Sequence, residues 1–186
     1  MRKLRRRLRP ATLWPPLLLI LVALVGLAWD ADGQDIPELA PAPSARCALP
    51  GGVQLTGEQV ANARTIAQVA YDRGLPARAV VIALATAMQE SRLRNLDYGD
   101  RDSLGLFQQR PSQGWGSPAE VRDPVHAAGR FYDHLVQIPN WQTGDLTAVA
   151  DAVQRSAFPR AYEKWSQLAE ELTAALGASP SGGSCT

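Results

Sequence analysis

The chain has 186 residues, 46% of them hydrophobic and 20% charged, the composition of an ordinary globular protein, which excludes a disordered chain of low hydrophobicity. Its net charge of +1 conceals an asymmetry. Six of nineteen basic residues (Arg2, Lys3, Arg5, Arg6, Arg7 and Arg9) precede a hydrophobic run, leaving thirteen basic against eighteen acidic residues. A mildly acidic remainder lacks the cationic surface that steers proteins to phosphate backbones, so no nucleic-acid partner is expected.

Residues 1–29 read as a signal peptide or N-terminal membrane anchor. A basic stretch, MRKLRRRLR, leads into residues that are apolar from Ala11 to Trp29 apart from Thr12 and the Pro15-Pro16 pair. Gly26-Leu27-Ala28 offers small residues for cleavage, yet the run is nearly long enough to span a bilayer, and both outcomes stay open. In either case the basic cluster stays cytoplasmic. The remainder is then extracytoplasmic, secreted or anchored through residues 11–29 to the outer face of the cytoplasmic membrane. Residues 30–52, with Pro37, Pro41, Pro43 and Pro50, read as a Pro-rich tether. Residues 53–178 have the size of one domain with one core, and 179–186 read as a flexible tail containing Cys185.

Within the domain, Thr56 with Gln59 makes a capping-box start. Val60, Ala63, Ile66, Ala67 and Ala70 follow at helical spacing, and Gly74 stops the helix. Pro76 opens a second helix at its first turn. Ala79 to Met88 is apolar on almost every side, which marks a core helix too short for a membrane span. Asn95 to Pro118 reads as irregular Gly-rich loops around a short apolar turn at Leu104 to Phe107. Helix signals return from Asp123-Pro124 to about Val136, from Leu146 or Thr147 to Phe158, and from Arg160 to Leu176. No convincing strand alternation is present. The expected fold is all-α, with at most a minor extended element in the Gly-rich loops.

Glu90 directly follows the buried helix. Low dielectric and the negative end of the helix dipole both disfavour its ionised form, so its pKa should rise and leave a protonated carboxyl able to give its proton away. Glycosidic cleavage needs that donation, because the leaving oxygen departs poorly until protonated. An ion pair with Arg92 or Arg94 is the structural alternative. Asp97, Asp100 and Asp102 form an acidic loop within chain reach. They read as a solvated loop, or as the source of a second carboxylate for an inverting hydrolase.

Gln89-Glu90-Ser91 followed by Gly105-Leu106-Phe107-Gln108 resembles the catalytic signature of soluble lytic transglycosylases, where a Glu-Ser pair precedes a Gly-Leu-Met-Gln block. Pro111, Asp123-Pro124, Gly129 and Tyr132 are similar to later positions of that family. The likeness covers roughly residues 58 to 170. Asp102 to Pro111 and Ser156-Ala157-Phe158-Pro159 look closest to a divergent branch of such domains in exported actinobacterial proteins. The family's Tyr-Asn-Ala-Gly motif, whose tyrosine supports the Glu and the substrate, is replaced by Val153 to Pro159, and Val125 stands near the place of a usual Asn.

The resemblance implies a lysozyme-like domain that cleaves between N-acetylmuramic acid and N-acetylglucosamine of peptidoglycan, with Glu90 as the single acid/base and no cofactor. The glycan strand is then the partner. Ser91 and Gln108 would be supporting contacts, and Tyr132 would lie beneath the site, with a place in the core as its alternative. By residue type, the amides of Gln108 and Gln109 suit the hydroxyl and N-acetyl groups of a glycan, or loop-fixing hydrogen bonds, and Trp115, between two glycines, suits a platform for a sugar face, or packing. A muramidase on the same scaffold, or a non-catalytic peptidoglycan-binding or assembly module, are the alternatives. Arg110 and Arg155 read as ion-pair partners of Asp residues or as receivers of stem-peptide and lactyl carboxylates. Trp141 and Trp165 read as packing residues. No metal site is expected, since His126 and His134 stand about 12 Å apart along a helix. Cys47 and Cys185 bracket the domain and invite a disulfide, with two free thiols as the alternative.

Overall fold

Thr56 and Gln59 cap the first helix reciprocally: the Gln59 N–H donates to Thr56 Oγ1 at 3.3 Å and the Thr56 N–H to Gln59 Oε1 at 2.8 Å. In the computed structural model, which describes residues 45–48, 54–155, 160–178 and 184–185, this cap starts α1 (Gly57–Asp72). The side chains at 178, 184 and 185 lie outside the description, as do residues 1–44, 49–53, 156–159, 179–183 and 186. The expected signal or anchor segment is among the latter. No helix among the described residues is long and apolar enough to cross a membrane.

Helix α1 buries Val60, Ala63, Ile66, Ala67 and Ala70, the stripe expected from their spacing. It ends at Gly74, whose φ of 68° is left-handed, the conformation that glycine takes at no steric cost. Helix α2 (Ala77–Ser91) has Pro76 as its N-cap, one position outside the helix, where the fixed φ of proline suits the entry and its missing N–H costs nothing. Every residue from Ala79 to Met88 is buried. The reason is position: α1, α4 (Pro124–Leu135), α5 (Leu146–Gln154) and α6 (Ser166–Ala178) all pack on it. Each large aliphatic side chain buried there contributes about 1.5–3 kcal/mol of transfer free energy.

The remaining caps are local as well. Asp123 accepts from the His126 N–H at 2.7 Å to start α4, and Asp145 accepts from the Ala148 N–H at 2.9 Å to start α5. A short α3 (Pro118–Val121), capped by Ser117 and Glu120, closes the Gly-rich segment. Two boundaries differ from expectation. Helix α5 stops at Gln154, because Arg155 turns left-handed at φ 52°, and residues 156–158 of the longer expected helix lie outside the described residues. The last helix begins at Ser166, preceded by a turn and a 3-10 element at Glu163–Trp165.

A small antiparallel sheet joins the two ends of the domain: β1 (Arg46–Ala48), β2 (Gln54–Thr56) and β3 (Ser184–Cys185), in the order β2-β1-β3. The domain is thus mostly α, with β1 in the range expected as tether (30–52), β2 at the start of the range expected as the helical domain (53–178) and β3 in the expected tail (179–186). Strands of two or three residues are too short for alternation to register, and pairing between chain ends leaves no local signal. The expected extended element in the Gly-rich loops amounts to one isolated bridge, Leu104 with Gln109.

Candidate functional site

Glu90 occupies the last turn of α2, one residue before the helix ends at Ser91. Two successive non-glycine residues in left-handed conformation, Arg92 (φ 56°) and Leu93 (φ 58°), terminate the helix there. Each costs about 1–2 kcal/mol, so the neighbours must hold them. Leu93 is fully buried. Two polar residues of α1 clamp the backbone: Gln59 Nε2 donates to Arg92 O at 2.7 Å and Asn62 Nδ2 to Leu93 O at 2.8 Å. The chain therefore leaves α2 sharply, and Glu90 stays at its end.

The carboxyl of Glu90 is half-buried. Loss of hydration pushes its pKa up, and hydrogen bonding from Tyr162 and then from Gln154 works against that rise. The Tyr162 hydroxyl donates to Glu90 Oε1 at 2.8 Å, and the Tyr162 side chain is itself fully buried. The result is a carboxyl partly stripped of water and aimed by a fixed donor. Expectation and structure agree on the rise, with burial as its leading cause.

The Gly105–Gln108 turn lies against the same helix end. Buried Ser91 reaches Leu106 O at 2.7 Å and Ala87 O at 3.1 Å through its hydroxyl. Gln154 Nε2 donates to Phe107 O at 2.7 Å, and the Phe107 ring stacks on Phe131 at 4.8 Å between centroids. Gly105 carries φ 76°, and a Cβ there would run into the Val121 carbonyl oxygen. Only glycine fits a turn pressed that closely on α3.

The other expected site residues fall in different places. Ser91 spends its hydroxyl on backbone carbonyls, and so fixes the turn rather than facing outward. Gln108 donates its amide to Tyr98 O and Gly105 O, both at 3.2 Å, from a left-handed backbone of φ 47°. Gln109 is 2% exposed and donates to Ala127 O at 3.0 Å, so its amide is a core tie. Trp115 is buried against the His134 ring at 4.3 Å. Its face is covered by that imidazole instead of standing open as a platform. Tyr132 is fully buried, donates to Ile66 O at 3.0 Å and is pushed well above the usual tyrosine range by burial; no bond links it to Glu90.

The acidic loop also resolves. Asp102 accepts from Arg110 Nε at 2.6 Å and from the Ser112 N–H at 2.8 Å, and these bonds, those from Ser112 first, hold its carboxyl far below the usual range. It is a fixed anion that staples a loop, and Arg110 is its ion-pair partner. Asp97 and Asp100 are exposed, and Asp100 faces the Arg101 guanidinium at 3.9 Å.

Tyr162, Gln154 and Trp165 join Glu90 without having been expected there. Tyr162 and Trp165 are three apart on a turn closed by the Trp165 N–H donating to Tyr162 O at 3.0 Å, which sets both side chains on one face. Tyr162 meets Glu90 while Trp165 Nε1 donates to Gln89 Oε1 at 3.0 Å. The i, i+3 aromatic pair was the available signal. Among the described residues no cluster of His, Cys, Asp and Glu could hold a metal ion.

Cys47 is fully buried in β1, and its register partner across the antiparallel pair is Cys185. Directly opposed Cα atoms in such pairs stand about 4.5–5.5 Å apart, inside the range of about 4.4–6.8 Å that a disulfide spans.

No protein-family model matches this chain, and comparison with curated proteins finds no match either.

Proposed function

We propose that this chain is a peptidoglycan lytic transglycosylase with a lysozyme-like domain, in which Glu90 serves as the single acid/base. The observation that carries the reading is the desolvated Glu90 carboxyl at the end of a buried helix, held by the Tyr162 hydroxyl at 2.8 Å. The resemblance of Gln89-Glu90-Ser91 and Gly105-Leu106-Phe107-Gln108 to the family signature supports it. So does the pinning of that second block against the Glu90-bearing helix end by Ser91 and Gln154.

In the proposed reaction the protonated Glu90 gives its proton to the glycosidic oxygen as the bond from the muramyl C1 breaks. The substrate's N-acetyl group supports the cationic centre. Glu90, now a carboxylate, takes the proton from the muramyl 6-hydroxyl as that oxygen bonds to C1, closing a 1,6-anhydro ring and restoring the acid. One carboxyl serves both steps, and Asp102, spent on Arg110 and Ser112, is not needed as a base. Tyr162 takes the supporting part that the resemblance assigns to the missing Tyr-Asn-Ala-Gly tyrosine, reaching Glu90 from a turn a few residues later.

Incubating the full chain and its Glu90→Gln variant with purified peptidoglycan, followed by mass spectrometry of released muropeptides, tests this. Anhydromuramyl ends that vanish in the variant are the expected result. Reducing ends would replace the reading with a muramidase, and binding to sacculi without release would replace it with a non-catalytic module.

A further inference from the structure

The turn that brings Tyr162 to Glu90 brings Trp165 to the adjacent residue, Gln89, and there the indole gathers charge. The Arg92 guanidinium carbon lies 4.2 Å from the ring centroid and Lys164 Nζ lies 5.4 Å from it. A cation over an indole gains about 0.5–2 kcal/mol, more as water is excluded. The Trp165 ring is half-buried, and its Nε1 bond to Gln89 fixes its plane.

Two cations on one ring repel each other, and no ion pair neutralises either of them among the described residues. Arg92 is moreover the residue whose left-handed backbone is clamped by Gln59. That clamp fixes where the backbone of Arg92, two residues after Glu90, leaves the helix, and contact with the Trp165 ring places its exposed guanidinium there. An unneutralised pair of cations at one aromatic ring suits an anionic group on a sugar ring, because charge-assisted bonds to a carboxylate are the strong ones.

We propose that Arg92, Lys164 and Trp165 form an anion subsite beside Glu90 that receives a carboxylate of the muramyl residue. This rests on the peptidoglycan reading of the site. The carboxylate has two sources: the lactyl group of a peptide-free strand, or the stem peptide attached to it. Salt bonds at a half-open site weaken as ionic strength rises, so the preference for acidic strands should fall with added salt.

The test measures binding by the full chain carrying Glu90→Gln, with three tetrasaccharide probes: neutral chitotetraose, a peptide-free strand of alternating N-acetylglucosamine and N-acetylmuramic acid, and the same strand bearing stem peptides. At least one acidic strand should bind about tenfold tighter than chitotetraose, and the one with the larger advantage names the source. Adding Arg92→Gln and Lys164→Gln should bring the ratio to about one. Lys164→Gln alone, at an exposed residue with no hydrogen bond or ion pair from its side chain among the described residues, should lower it by about threefold and keeps the test decisive if the combined variant does not fold.

A ratio of one in the parent, a ratio unchanged by the substitutions, or no binding of any probe overturns the subsite. Failure of the catalytic reading is separate: it is absence of bond cleavage by the unmodified chain. A carboxylate preference that persists without cleavage leaves the subsite standing on a binding protein.

Discussion

The hydroxyl of Tyr162 donates a 2.8 Å hydrogen bond to Oε1 of Glu90 across a sequence separation of 72 residues. This bond favours the carboxylate and so opposes the desolvation that raises the Glu90 pKa. Removing the donor lets the pKa rise further. In Tyr162→Phe the protonated acid persists to higher pH, and the alkaline limb of the pH–rate profile moves upward. The rate at its optimum falls by about tenfold as the carboxyl loses its orienting partner. A pH profile of anhydromuropeptide release checks both, and a limb that stays in place or moves down contradicts the assignment.

Glu90 itself carries a cost in stability. Below 4.5, its ordinary value, the carboxyl is protonated folded and unfolded alike. As pH rises from there towards the elevated folded value, the unfolded chain releases its proton first, so stability is lost through this window and stays lost above it. Glu90→Gln, neutral at every pH, should therefore melt at a higher temperature than the parent at pH 7. The gap should close as pH falls to about 4.5. Calorimetry across that range is the check, and a variant less stable at neutral pH would place the carboxylate in a favourable pairing instead.

Ser91 and Gly105 hold the turn beside Glu90 in different ways. Ser91→Ala leaves the Leu106 carbonyl without its 2.7 Å donor and should cost about 1–3 kcal/mol in denaturant unfolding. Gly105→Ala adds a left-handed penalty to a clash with Val121 O and should cost about 3 kcal/mol or more. If Gly105→Ala proved the milder of the two, the turn would not be pressed on α3 as described.

The register of Cys47 with Cys185 leads to a third stability test. The two thiols should resist alkylation until a reductant is added. Replacing both with serine should lower stability by about 2–4 kcal/mol, since the closed loop spans nearly the whole domain. Free alkylation of the native, unreduced protein would exclude the bridge.

Much of this architecture is local and was legible in the sequence. The Thr56–Gln59 cap, the stripe of α1, the all-apolar α2 and the Asp123 start of α4 each depend on residues within a few positions of one another. The rise of the Glu90 pKa was readable for the same reason, because a carboxyl that follows ten buried residues of one helix loses much of its water. Spacing and residue type by themselves thus determined where most of the helices lie, which faces they bury and the place of Glu90 at a helix end, although not the end of α5 or the start of α6.

What surrounds that acid was decided only by folding. Tyr132, Gln109 and Trp115 carry residue types suited to a sugar site, yet α4 and the Gly-rich loop turn them into the core. Tyr162 and Gln154 reach Glu90, and Trp165 reaches Gln89, because α5 and the 3-10 turn before α6 pack on α2 from distant parts of the chain. The edge of the sheet, with Cys47 opposite Cys185, closes only when both ends meet. In each case the interaction joins residues far apart in the chain, and its free energy exists only once the core has brought them together.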